Sequence, residues 1–219
     1  ASANRDDAIV VVSGGAVLDS GDSATDLIAE QGLVTLLSQN GVGADDPLET
    51  GVARMVADVA SAGAIRIDEL TDIELVDLRT ANGAIEVDAG GSILATRIES
   101  ANKELLSDGD SRDIELNAIS SSSDVMVESV IARSGADVRM TAGDDVIGRS
   151  MEHRVESDDL SIFAGNGLAD QSYAVLLNTQ VHDLDAVVGG TTRGDLVIRE
   201  FDSIRLSASD GGSDRELVA

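Results

Sequence analysis

The chain has 219 residues, enough for a sizeable buried core, and carries 15 basic against 41 acidic side chains, a formal charge of −26. A surface this negative repels phosphate backbones and anionic lipid; it argues against nucleic-acid partners and membrane insertion and in favour of cations, calcium among them. The absence of cysteine excludes disulfides, thiolate catalysis and cysteine metal sites, and no apolar run reaches the ~20 residues a spanning helix needs.

Along the chain, the N-terminus opens on Ala1-Ser-Ala-Asn4 with neither Met nor a hydrophobic leader, so we expect a leader to have been removed or the piece to be cut from a longer protein. Ile9-x-Val11 starts the first apolar alternation. Residues 45–61 invite two readings. Asp46, Pro47 and Glu49 suit a helix start, with Leu48, Val52, Met55, Val56 and Val59 on one helical face. The alternation Leu48/Thr50/Val52 and Met55/Ala57 instead describes two strands meeting at a corner. Thr and Val favour strand, so we expect strand.

A short unit then recurs: Gly or Asp, apolar–polar–apolar, and a small or acidic turn. It reads Gly63-Ala-Ile-Arg-Ile-Asp-Glu69, Gly83-Ala-Ile-Glu-Val-Asp-Ala89, Asp113-Ile-Glu-Leu-Asn-Ala118, Asp137-Val-Arg-Met-Thr-Ala142, Asp159-Leu-Ser-Ile-Phe-Ala164 and Gly194-Asp-Leu-Val-Ile-Arg-Glu200. Apolar residues at i and i+2 face one side of a short strand, and Gly or Asp accommodates the turns around it. The strands begin at Ile65, Ile85, Ile114, Val138 and Leu160, steps of 20, 29, 24 and 22. Those steps predict a β-solenoid of roughly 20–30-residue coils, with Ile65, Ile67, Ile85, Val87, Ile114, Leu116, Val138, Met140, Leu160, Ile162, Leu196 and Ile198 stacked inside. The near absence of aromatics, Phe163, Phe201 and Tyr173 only, suits many narrow layers better than one large core.

A longer period lies over this one. Leu48-x-Thr50-x-Val52-x-x-Met55-x-Ala57 is matched by Leu177-x-Thr179-x-Val181-x-x-Leu184-x-Ala186, an offset of 177 − 48 = 129. Gly63, Ile65, Ile67, Glu69, Ile73 and Leu75 are matched by Gly194, Leu196, Ile198, Glu200, Ile204 and Leu206, an offset of 194 − 63 = 131. We therefore expect one continuous solenoid over 1–219 with repeat units at 9–137 and, incomplete, 138–219. Both ends break off inside the pattern, which predicts a window on a longer array whose open ends stack on neighbouring repeats or copies.

These stretches, with the coil Asp137-Val-x-Met-Thr-Ala-Gly-Asp-Asp145, resemble the repeats of giant bacterial surface proteins of the filamentous-haemagglutinin-like, parallel β-helix type, particularly those of planctomycetes and other marine bacteria. The resemblance implies an extracellular or cell-surface fibre for adhesion and cell contact, with other cell surfaces or glycans as partners. It implies no catalytic residue set.

Chemistry is sparse in the residues themselves. His153 and His182 each stand without a second His or a nucleophile motif, and His182 beside Asp183 reads as a solvated pair. Asp144-Asp145 with Arg139 is the nearest approach to the acidic groove of a carbohydrate lyase or hydrolase, the alternative function. Acidic turns at Asp19–Asp22, Asp108–Asp113, Gly143–Asp145 and Asp210–Asp214 could offer oxygen ligands, and Asp108, Asp110, Asp144 and Asp145 are the candidate calcium ligands, none in an EF-hand or nonapeptide pattern. Gly41-Val-Gly43 is followed by Asp45-Asp46, which disfavours a phosphate cradle. No catalytic residue or required cofactor is expected.

Overall fold

The computed structural model describes residues 9–100, 113–133, 135–149, 154–165, 177–189 and 197–206, and every regular element among them is a strand. In chain order these are β1 (Ile9–Val12), β2 (Leu27–Ser38), β3 (Leu48–Ala62), β4 (Ile65–Glu69), β5 (Ile73–Asn82), β6 (Ile85–Ala89) and β7 (Ile93–Ala95). They continue with β8 (Ile98–Ser100), β9 (Ile114–Ala118), β10 (Val125–Val127), β11 (Val130–Ala132), β12 (Val138–Ala142), β13 (Val146–Gly148) and β14 (Val155–Glu156). The last are β15 (Asp159–Ala164), β16 (Leu177–Gln180), β17 (Asp183–Val188), β18 (Ile198–Glu200) and β19 (Arg205–Leu206).

The strands pair in parallel with equivalent strands one coil away, so the chain winds as a β-solenoid with three faces. The first face stacks β4, β6, β9, β12, β15, β17 and β19. The second stacks the start of β5, then β7, β10 and β13. The third stacks the end of β5, then β8, β11, β14, β16 and β18. In the early coils β2, β3 and β5 run continuously round the corner between second and third faces, β3 and β5 shifting register between Met55 and Val56; later coils split there into separate strands. The stretch at 45–61 is thus strand from Leu48 onward, and 177–188 is strand in β16 and β17.

The register is the one that the sequence spacing predicts. Ile65, Ile85, Ile114, Val138 and Leu160 are successive Cα partners, and the column goes on to Leu184 and Leu206. Parallel to it run Ile67, Val87, Leu116, Met140, Ile162 and Ala186. From Ile65 to Ile162 the expected inward residues are all buried, and Ile198 packs half-buried against the core; Leu196 lies outside the described residues. Each buried Val, Leu or Ile contributes about 1.5–3 kcal/mol, repeated coil after coil without aromatic help.

The glycines of the repeat serve a purpose other than turn conformation. Neither Gly83 nor Gly165 has a positive φ. A Cβ at Gly83 would lie 2.1 Å from the Gly63 carbonyl oxygen, and one at Gly165 would lie 1.9 Å from that of Gly143. Glycine is required there because the backbone of one coil rests directly on the next.

The period near 130 residues does not return the chain to the same face. Leu48 pairs with Ile67 on the first face, whereas its counterpart Leu177 pairs with Ile198 on the third. What both copies share is a clasp. Glu69 is 1% exposed, and its Oε2 accepts hydrogen bonds from Thr50 Oγ1 at 2.8 Å and Val52 N at 2.9 Å. Its Oε1 accepts from Thr71 N at 3.1 Å and Thr71 Oγ1 at 3.0 Å. In the second copy Glu200 Oε2 accepts from Thr179 Oγ1 at 2.8 Å and Val181 N at 3.3 Å, while Oε1 takes Phe201 N and Asp202 N. Four donors converge on each carboxylate, which is how Glu69 can sit in a column between Thr50 and the run Ala89, Ala118, Ala142 and Ala164.

Candidate functional site

The acidic turns are organised by the stacking of the coils. At the corner leading into the first face, Asp137 N donates to Asp113 Oδ1 at 3.0 Å and Asp159 N donates to Asp137 Oδ1 at 3.1 Å. Asp183 follows as the Cα partner of Asp159, and Arg205, the next in the column, donates to Asp183 Oδ2 at 3.1 Å. The corner into the second face repeats the device. Ser92 N donates to Asp72 Oδ1 at 2.6 Å, Asp124 N to Ser92 Oγ at 3.1 Å, and Asp145 N to Asp124 Oδ1 at 3.1 Å. Asp113, Asp137, Asp72, Ser92 and Asp124 each receive the backbone N–H of the equivalent residue one coil on, where the turn interrupts the sheet ladder, whereas Asp183 receives the Arg205 guanidinium.

Stacking carboxylates at the ~4.8 Å spacing of parallel strands sets like charges against each other. Burial, followed by repulsion from Asp159, Asp113 and Asp158, pushes the Asp137 carboxyl up to about 6. Asp159 is raised by burial and by Asp183 and Asp158. The outside of the third face is the opposite case. Arg97 pairs with Glu99 at 3.0 Å, Arg133 with Glu99 at 3.0 Å and Arg154 with Glu156 at 2.8 Å. Although desolvation opposes it, the hydrogen bonds from Arg133 and Arg97 hold Glu99 below the usual carboxylate range.

Of the residues read as calcium ligands, Asp144 and Asp145 come together with a third, Asp124 of the preceding coil, their ligand oxygens all within 4.8 Å of one another. Asp108 and Asp110 lie outside the described residues, as do His153 and the turn at 210–214. Asp124 escapes a local motif search because 21 residues separate it from Asp145; the coil spacing is the signal that would find it. A second trio, Asp19, Asp26 and Glu49, gathers in the same way. Burial and Asp19 raise Asp26, and burial with Asp19, Asp26 and Asp46 raises Glu49. Arg139, set beside Asp144-Asp145 in the sequence reading, points outward from mid-strand and faces Glu115 at 3.9 Å.

His182 pairs through Nδ1 with Asp158 of the preceding coil, where the sequence had suggested its neighbour Asp183. That hydrogen bond raises the imidazole above its ordinary value, and the ring stays 79% exposed in its side chain.

A concavity lies on the outside, at the corner of the first and second faces. It holds about 740 Å³ and crosses β2, β3, β5, β7 and β10, five successive rungs. Gly51 and Ala53 form its low point, because outward side chains there are small or missing, and Ile28, the Cα partner of Gly51, and Leu70 flank them. Glu30, Asp72 and Glu74 line it, and Arg54 donates to Glu74 Oε2 at 3.2 Å.

No family model matches the chain, and no curated protein or solved structure does so either. Among the described residues no helix is long and apolar enough to cross a membrane.

Proposed function

We propose that the chain is a structural and adhesive segment of a large extracellular or cell-surface fibre, in keeping with the resemblance to giant surface-protein repeats. The observation that carries this reading is the column Ile65–Ile85–Ile114–Val138–Leu160–Leu184, one core position buried in register over six coils, with Leu206 continuing the register, exposed, in a seventh. A solenoid with that core has no intrinsic length limit, and each coil is a template for the next. Neighbouring repeats or further copies extend the stack; glycans or other cell surfaces meet its outer faces. Calcium at Asp124, Asp144 and Asp145 relieves part of the charge of −26 and is an aid to the fold with no role in catalysis.

The test is antibody labelling of intact cells, with permeabilised cells as reference, combined with attachment assays on cells lacking the gene. Surface labelling and loss of attachment support the fibre reading, and labelling confined to permeabilised cells overturns it. The carbohydrate-active alternative, expected at Asp144-Asp145 with Arg139, finds Arg139 facing Glu115, and the outer groove offers it Glu30, Asp72 and Glu74 as other acids. Two of the three already hold protein groups, Asp72 the Ser92 N–H and Glu74 the Arg54 guanidinium, which favours recognition over bond cleavage.

A further inference from the structure

We infer that the groove at the corner of the first and second faces binds an extended, cationic, amphipathic peptide segment of a partner protein. The inference goes beyond the fibre reading and does not rest on it. Ile28 and Leu70 are 64% and 60% exposed, an apolar pair left open on a strongly charged surface. Leu94 and Met126, successive Cα partners on the second face, continue that apolar floor across further coils. Glu30, Asp72 and Glu74 border it, and among the described residues no Lys or Arg lines it. A Lys or Arg side chain complements both features, its aliphatic stem lying on Ile28 and Leu70 and its charged head reaching the carboxylates.

The shape favours a strand of peptide over a compact ligand. Four steps between the five rungs, at ~4.8 Å each, give a groove of roughly 19 Å, which matches about six extended residues at ~3.3 Å apiece. Side chains alternating along such a segment set aliphatic groups on the floor and cations at the rim. The charge of −26 steers positively charged segments towards the surface before the groove selects among them.

Gly51 makes the proposal testable without unfolding the protein. Its φ is not positive, and an added Cβ would meet only Leu70 Cδ1 and Thr25 Cγ2, both at the ordinary contact distance of 3.9 Å. The probe is a fluorescent hexapeptide of alternating Leu and Lys, titrated by anisotropy into the whole chain at low salt. Gly51→Leu should weaken binding by about tenfold or more with an unchanged melting temperature, and Glu30→Lys by about tenfold. Asp68→Lys, an equal change of net charge on the exposed side of β4, should stay within about twofold. The inference is overturned if Gly51→Leu binds like the parent, or if Asp68→Lys weakens binding as much as Glu30→Lys. It is equally overturned if a Ser/Lys peptide binds as well as the Leu/Lys one, since bulk charge then accounts for everything. A neutral oligosaccharide that binds where the peptide does not, or self-association abolished by Gly51→Leu, assigns the groove to a glycan or to a second copy instead.

Discussion

Glu69 and Asp137 each use a carboxylate to receive backbone N–H groups at a corner of the coil, and the two corners treat the charge in opposite ways. Glu69 is sealed beneath β3, with four hydrogen bonds from two hydroxyls and two amides and no like charge stacked upon it in its alanine column. Asp137 stands half-buried in a column of aspartates and accepts a single backbone N–H from Asp159. In the first corner burial strengthens every hydrogen bond and makes the carboxylate hard to replace. In the second, partial burial and repulsion oppose ionisation, so the hydrogen bond is useful and the charge is not. Acidity in this chain therefore has two separate structural meanings, and mutation separates them.

The largest effect should come from Glu69→Ala. It strands the Val52 and Thr71 N–H groups and the Thr50 hydroxyl beneath the corner, so the stability measured by urea unfolding should fall by about 3–5 kcal/mol. Glu200→Ala removes the corresponding contacts, one hydroxyl and three amides, from a half-buried site where water can replace them, and should lower stability by only about 1 kcal/mol. Equal losses at the two sites would show that burial is not what distinguishes the clasps.

These predictions also mark where sequence reasoning reached and where it stopped. The strand starts at Ile65, Ile85, Ile114, Val138 and Leu160 were legible because every coil buries the same kind of side chain at the same point, so periodicity in sequence becomes register in space. Thr50, Val52 and Glu69 were visible as repeated residues, and their hydrogen bonding was not: the clasp joins residues 17–19 positions apart, which only the winding brings together. The same limit hid the third acid, Asp124, and the Asp113–Asp137–Asp159 ladder, whose aspartates the sequence showed only as residues that accommodate a turn. The glycines were recognised as corner residues for the wrong reason, since contact between successive coils, invisible along one strand, decides them at Gly83 and Gly165. The outer groove depends on Gly51 and Ala53 facing outward beside Ile28, a relation that exists only once β2 and β3 are in register.

The ladder corner should answer to pH with the sign that its raised carboxyl dictates. Asp137 titrates near 6 when folded and near its ordinary 3.8 when unfolded, so between those values the folded chain holds the extra proton. Stability should therefore increase as pH falls from 7 towards 5, and decline again as it rises through 6. His182, raised by Asp158, acts in the same direction, its contribution present in mild acid and lost as pH climbs through its folded value. Asp137→Asn keeps the oxygen that receives Asp159 N–H and removes the charge. It should raise the melting temperature at pH 7 by roughly 1–3 °C and flatten the dependence between pH 5 and 7. A lower melting temperature with an unchanged slope would mean that the Asp137 charge is not what opposes folding at that corner.

The effect that separates specific binding from screening concerns Asp124, Asp144 and Asp145. These acids share the crowding of the ladders, but their ligand oxygens converge within 4.8 Å, close enough for one cation to bridge all three. Three carboxylates on a surface turn make a weak site, with water completing a coordination shell of six to eight oxygens. At a calcium concentration near ten times the dissociation constant, binding to the folded chain adds about 1.4 kcal/mol. For a chain of this size that is a rise in melting temperature of roughly 3–6 °C. The comparison is chelated protein with calcium added, against sodium chloride at the same ionic strength. Calcium should raise the midpoint beyond the sodium control, and the double variant Asp144→Asn/Asp145→Asn should lose that excess while keeping the response to salt. The ladder at Asp113, Asp137 and Asp159 should supply the salt response, since screening weakens repulsion along a column whatever the ion. Equal midpoints in calcium and sodium would assign the whole effect to screening and remove the three-carboxylate site. A calcium excess that survives the double variant would place binding elsewhere, with the trio at Asp19, Asp26 and Glu49 the next to substitute.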